Sequence, residues 1–89
     1  MGNGVEFVKS SFNEHAKVIE ELAARDEGFC DMCDDFLTAH DEKLQWERSS
    51  APERDERIGE YEELIVGLRI EIEQTINRAA VSPLKPPRR

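Results

Sequence analysis

The sequence has 89 residues and a net charge of −8, and 38% of its residues are hydrophobic while 36% are charged. So short a chain forms one domain at most, and this mixture is typical of solvated amphipathic helices rather than of a compact enzyme. Because residues 81–89 hold three cations and no acid, the first eighty residues carry about −11, which opposes binding to nucleic acid.

The composition also predicts where the protein resides. No apolar run approaches the ~18 residues that a membrane-spanning helix needs, so we expect no membrane span. The N-terminus lacks the basic and apolar segments of a secretory signal, and two cysteines do not make a disulfide framework. We therefore expect a cytoplasmic protein whose cysteines are thiols.

A first helix is predicted over residues 5–25. The four residues before it, MGNG, are typical of a disordered end. Asn3 with Glu6, and Ser11 with Glu14, have the spacing of helix-capping pairs. The apolar stripe of this helix follows three- and four-residue steps and consists of Val5, Val8, Phe12, Ala16, Ile19, Leu22 and Ala23.

A second helix is predicted over residues 27–48, after a break in the apolar pattern. If the first helix continued, it would bury the Asp26 carboxylate without a partner, at a cost of several kcal/mol. We interpret Asp26 instead as the N-cap of the second helix, with Glu27 in its first turn and Gly28 at the join. The predicted buried stripe consists of Phe29, Cys33, Phe36, Leu37, His40 and Leu44.

A third helix is predicted over residues 51–80. Ser50 and Glu53 have capping-box spacing, and Pro52 fits the first turn. The short connection predicts that the second and third helices are antiparallel neighbours. At ~1.5 Å per residue the third helix spans roughly 45 Å and the second roughly 33 Å, so the second cannot cover the third completely. The main stripe consists of Ile58, Tyr61, Ile65, Leu68, Ile72, Ile76 and Ala79.

A second, smaller apolar pair lies on the third helix. Val66 and Ile70 are four residues apart and point roughly 120° away from the main stripe. Gly67 lies beside them, and a glycine in mid-helix costs about 1 kcal/mol relative to alanine. One use for it is the close approach of another backbone. We expect these three residues in the interface of a homo-oligomer, with a dimer favoured because two-fold closure is commonest.

The last nine residues, 81–89, form a Pro-rich basic tail that we expect to be extended or disordered, because proline lacks an amide donor. Pro83, Pro86 and Arg88 match the P-x-x-P-x-R form of a ligand for SH3 grooves. The alternatives are an anionic surface that contacts Arg88 and Arg89, or a tail without a docking role.

Cys30 and Cys33 form a C-x-x-C motif in the second helix. A zinc ion would need two further ligands, and His40 lies about 10 Å farther along the helix, so His15 or a second subunit would have to contribute. A thioredoxin-like redox pair needs a βαβ context that the sequence lacks. We favour packed or half-exposed side chains without a cofactor.

The run that begins Phe12-Asn13-Glu14-His15 is similar to the YdcH-like family of small bacterial proteins. The segment Leu68-Arg69-Ile70-Glu71-Ile72 resembles that family's closing Leu-Lys-Asp-Glu-Ile, although Ile70 stands where the family usually has Asp. The resemblance covers roughly residues 7–76. It implies a bacterial source and a short helical hairpin with no assigned activity, and it carries over no catalytic residue. The matching positions in its first part are Phe12, Glu14, Ile19, Leu22, Phe29 and Asp34 or Asp35.

Together these patterns predict one all-α domain over residues 1–80, either an antiparallel helical hairpin or a three-helix arrangement with coiled-coil-like packing and no sheet. The function that we expect is non-enzymatic protein–protein interaction or assembly with an unidentified partner, because no catalytic set is present. The alternative is a small metal- or thiol-redox-responsive protein that uses Cys30 and Cys33.

Overall fold

A computed structural model describes the backbone of residues 3–81 and the side chains of residues 3–80. Over this part the chain is all-α, as expected, without a strand. It forms four helices, and a single 3₁₀ turn, Asn13–His15, joins the first two. The helices are α1 (Gly4–Ser11), α2 (Ala16–Arg25), α3 (Glu27–Glu47) and α4 (Arg54–Val81).

Helices α3 and α4 form an antiparallel hairpin, joined by residues 48–53. The Arg54 guanidinium donates to the carbonyl oxygen of Glu47, at 3.3 Å from Nε and 3.1 Å from Nη2, and so binds a terminal carbonyl of α3 that has no partner within the helix. At the connection, the amide of Ala51 donates to Ser49 Oγ at 3.0 Å. Lys43 Nζ lies 3.3 Å from Oε2 of Glu47 on α3 and 3.6 Å from Oε2 of Glu62 on α4. The second contact links the two helices near this end.

The expectation of one helix over residues 5–25 is wrong, because α1 ends at Ser11 and the chain turns back on itself. Phe12 leaves helical geometry, with φ −125° and ψ 56°. The reversal places Lys9 Nζ 2.6 Å from a carboxylate oxygen of Glu20. In a straight helix those residues would be separated by roughly 16 Å along the axis. The break allows α1 to pack against α3 while α2 also contacts α4.

The break predicted before the second helix is present, and Asp26 is its cap. Asp26 has extended geometry, and its Oδ1 accepts a hydrogen bond from the amide of Phe29 at 3.1 Å. Its own amide donates to the carbonyl of Leu22 at 2.9 Å, so the same residue ends α2 and begins α3. Glu27 lies in the first turn, where the helix dipole favours a carboxylate.

The hydrophobic core lies at one end of the hairpin, where α1 and α2 pack against it. It consists of Val8, Ile19, Leu22, Phe29, Cys33, Phe36, Ile72 and Ile76. Toward the α3–α4 connection the α4 stripe continues through Ile58, Tyr61, Ile65 and Leu68, but these residues are only half-buried. In the part of the chain that the structure describes, that half of the hairpin is therefore a layer of two helices.

Two further expectations are corrected by the packing. The apolar pattern predicts that Leu44 is buried, but it is 50% exposed, because the aromatic contacts of α1 on α3 lie at Phe36 and His40 and do not reach it. Gly4 was assigned to a disordered end and is instead a buried residue that begins α1. A Cβ atom there would overlap the backbone of Cys33 and Asp34, so the two helices approach too closely for any side chain.

Candidate interaction surfaces

The outer face of α4 carries the apolar pair predicted from the sequence. Val66 is 56% exposed and Ile70 is 48% exposed. Gly67 is exposed too, and a Cβ added there would meet no described atom within 4 Å, so the described part of the monomer does not require a glycine at this position. The structure therefore leaves all three candidate interface residues accessible.

A glycine that the sequence reasoning did not single out extends this face. Gly59 lies seven residues before Val66, two turns of helix away, and space around it is also open. Gly59 and Val66 line a shallow depression together with Glu62 and Glu63. We call Gly59, Val66, Gly67 and Ile70 the outer face of α4. The i, i+7 spacing of Gly59 and Val66 was the signal that could have identified the larger surface.

A second surface, which the sequence did not predict, is a groove between α3 and α4. It has a volume of about 460 Å³. Ala39 lies at its floor and is buried, Tyr61 and Leu68 are half-buried, and Leu64 is 49% exposed. We call it the α3–α4 groove. Its lining is Asp35, Thr38, Ala39 and Glu42 from α3, and Tyr61, Leu64 and Leu68 from α4.

The groove is open because α1 packs on a different part of α3. Phe7 of α1 contacts Phe36 and His40, with ring centroids 5.7 Å and 4.9 Å apart, and neither residue lines the groove. At 100° per residue, Leu64 lies about 160° around α4 from Val66. The groove and the outer face of α4 are therefore separate surfaces.

The charge of the groove is acidic. Among the described residues that line it, Asp35 and Glu42 are the only carboxylates, and none is Lys, Arg or His. Both carboxylates lie on the α3 side, whereas the α4 side contributes apolar and aromatic contacts. The groove thus combines an apolar floor with a negative rim.

Cys30 and Cys33 are placed at the junction of α2 and α3. Cys33 is fully buried, and this burial raises the pKa of its thiol to about 12, so the reactive thiolate is disfavoured. Cys30 is half-buried and its Sγ donates to the carbonyl of Ala23 at 3.2 Å. Among the residues that the structure describes, no group of three or more His, Cys, Asp or Glu side chains is placed to hold a metal ion.

His40, the nearest histidine along α3, packs in an aromatic cluster instead. Its ring lies edge-on to Phe36 with centroids 4.8 Å apart, and Phe7 completes the cluster. Burial lowers the pKa of His40 below its ordinary value, and the positive charge of Lys43 lowers it further. His40 is therefore a packing residue that connects α1 to α3.

Three comparisons with known proteins found no relative of this chain. No protein-family model matches the chain, and neither a curated protein nor a solved structure does. The resemblance to the YdcH-like family therefore stays a prediction. Within the described part, no helix combines the length and the apolar character that crossing a membrane requires. The tail residues Pro83, Pro86 and Arg88 lie outside the described residues.

Proposed function

We propose that this protein is a non-enzymatic interaction protein that assembles as a homodimer through the outer face of α4. The observation that carries the proposal is the exposure of Val66 and Ile70 on an otherwise charged helix surface. Burying apolar area yields about 25 cal/mol per Å², so two half-exposed aliphatic side chains favour association.

The glycines of this face support the same proposal. Each mid-helix glycine costs about 1 kcal/mol relative to alanine, and neither Gly59 nor Gly67 is needed for space within the monomer. A partner helix that approaches closely would make use of the missing side chains. Helix α4 has 28 residues and is about 42 Å long, which allows contact along several turns in a coiled-coil-like pairing.

The proposal includes a cytoplasmic location, supported by the state of the two cysteines. Both are free thiols, and Cys33 is enclosed in the core. The metal- or thiol-redox alternative rests on the C-x-x-C spacing alone, and the burial of Cys33 opposes it. One metal ion per subunit in protein purified without chelator would favour that alternative instead.

Two matched aspartate substitutions test the dimer. Ile70 and Leu44 are almost equally exposed, at 48% and 50%, but only Ile70 lies on the outer face of α4. We expect Ile70→Asp to shift the mass measured by light scattering from dimer to monomer, because a buried unpaired carboxylate costs several kcal/mol. Leu44→Asp should leave the dimer intact.

Circular dichroism of both variants controls for unfolding, because each substituted side chain is half-exposed in the monomer. If Ile70→Asp keeps the wild-type mass while the protein remains helical, the interface does not include the outer face of α4. If Leu44→Asp dissociates the dimer and Ile70→Asp does not, the subunits meet through α3 instead.

A further inference from the structure

We propose that the α3–α4 groove binds one amphipathic helix of another protein, with an apolar stripe that is flanked by basic residues. This binding surface is separate from the outer face of α4. The groove proposal rests on the general proposal that the chain is an interaction protein, but it does not require the homodimer.

The shape of the groove fits a helix. The groove lies on a face of the hairpin away from the contacts of Phe7, where α3 and α4 are the described helices that line it, and a further helix laid between them would contact both. The small side chain of Ala39 leaves depth at the floor, while Tyr61, Leu64 and Leu68 follow one side of α4 at three- and four-residue spacing. An apolar stripe at helical spacing would contact them along two turns.

The charge of the groove selects the kind of helix. Asp35 and Glu42 flank the apolar floor, and none of the described lining residues is basic, so a basic flank of the bound helix would be attracted and an acidic flank repelled. A second copy of this chain would bring its own Asp35 and Glu42 to the contact in a two-fold arrangement. The occupant is therefore a different, basic chain rather than a second copy.

The helices at the N-terminus are not available as occupants. Helix α1 is held on α3 through Gly4, whose amide donates to Asp34 Oδ1 at 3.2 Å, and through the contacts of Phe7. Helix α2 contributes Ile19 and Leu22 to the core. To reach the groove, α1 and α2 would have to expose side chains that are now buried.

A display library of helices tests the proposal with a defined probe. Its members are 20-residue amphipathic helices with a varied apolar stripe and flanking positions that are either Lys or Glu. Selection on the full-length protein should enrich Lys flanks at least tenfold over Glu flanks. The enriched helices, made as peptides, should bind Leu64→Asp at least tenfold more weakly than wild type, because that change places a carboxylate against the apolar stripe.

The control variants separate this surface from the rest of the acidic chain. Leu44 is about as exposed as Leu64 but lies neither in the groove nor on the outer face of α4, so Leu44→Asp should bind the peptides as wild type does. The double variant Asp35→Asn, Glu42→Gln should weaken binding severalfold and reduce its salt dependence, since it removes the rim charges and little volume. Circular dichroism should show that each variant keeps its helical content.

Several outcomes would overturn the proposal. They are the absence of any enriched helix, equal enrichment of Glu flanks, or peptides that bind Leu64→Asp as tightly as wild type. Dissociation of a wild-type dimer by Leu64→Asp, but not by Ile70→Asp, would show that the groove is occupied by a second copy. A monomeric wild type that still binds the basic helices would refute the homodimer and leave the groove proposal standing.

Discussion

At the scale of single residues, glycines in this chain have opposite roles. Gly4 is required where it stands, because the start of α1 lies against the backbone of α3 and leaves no room for a Cβ. Asp34 Oδ1 accepts a hydrogen bond from the amide of Gly4 and so caps the N-terminus of α1. The Asn3 side chain forms no cap there. Gly59 has open space and ordinary helical surroundings. Local sequence does not distinguish these two environments.

Substituting each glycine by alanine should therefore have opposite effects on stability. Gly4→Ala should lower the free energy of unfolding by about 1–3 kcal/mol, the usual range for overpacking a tight contact. Gly59→Ala should raise it by up to about 1 kcal/mol through helix propensity. Urea unfolding measures both, in the Ile70→Asp background so that self-association does not contribute. Equal effects of the two substitutions would show that α1 is not docked through Gly4.

His40 makes stability depend on pH. Burial lowers its pKa in the fold, Lys43 and Arg69 lower it further, and Asp41 acts in the opposite direction. The unfolded chain, with a histidine pKa of ~6.5, therefore binds the proton more readily than the fold does. The contribution of His40 to stability is fully present when the pH is above the pKa of the unfolded chain. It is lost as the pH falls toward the lower pKa of His40 in the fold.

Urea unfolding at about pH 7.5 and about pH 5.5, on either side of the unfolded pKa, measures this effect. The wild type should lose more stability between the two than His40→Gln, whose side chain does not titrate. An identical pH dependence in wild type and His40→Gln would contradict the proposed protonation linkage.

At the scale of helices, the sequence predicted the joins that depend on local chemistry. Asp26 as a cap and the antiparallel pairing of α3 with α4 follow from neighbouring residues, and the structure has both. The reversal between α1 and α2 does not follow from the apolar pattern, because Val8, Phe12, Ala16 and Ile19 keep helical spacing through the break.

The reason for that reversal is tertiary. Ser11 Oγ donates to the carbonyl of Phe7 at 3.1 Å, and serine and asparagine weaken the helix near residues 10–13. Such weak helix formers tolerate either a straight helix or a turn. Packing α1 on α3 and α2 against α4 decides between them. Ser11 and Glu14 have capping spacing at this point, but the 3₁₀ turn forms without a side-chain cap.

Nuclear Overhauser effects test the reversal directly. Val8 and Ile19 belong to the same core cluster, so methyl cross-peaks should link Val8 to apolar residues of α2. A straight helix would separate these two residues by roughly 16 Å and would give none. Uninterrupted helical cross-peaks through Phe12, without contacts between α1 and α2, would contradict the fold described here.

The groove illustrates why sites are harder to predict than helices. Leu64 lies beside the main stripe of α4, three residues after Tyr61 and four before Leu68, which predicts that it borders a buried face. Whether that border is covered depends on where α1 and α2 pack, and this follows from the reversal at Phe12. The sequence therefore predicted Val66, Gly67 and Ile70 of the outer face of α4, but neither Gly59 nor the groove.

At the scale of the whole molecule, the hairpin is closed at one end and open at the other. The core formed with α1 and α2 fixes the relation of α3 to α4, and the other faces of the hairpin present two surfaces for contact. A chain with a net charge of −8 would repel its own copy at short range. In the proposed homodimer, apolar contact at Val66 and Ile70 therefore has to outweigh repulsion between Glu62, Glu63 and their symmetry mates.

Sedimentation equilibrium of the wild type at low and high salt measures this balance most directly. We predict a mass of twice the 10.2 kDa chain at micromolar concentration, with tighter association as salt rises. The reason is that screening shortens the range of repulsion from about 10 Å at 0.1 M to about 3 Å at 1 M and leaves apolar contact intact. A mass of one chain at every concentration and salt would contradict the proposed homodimer.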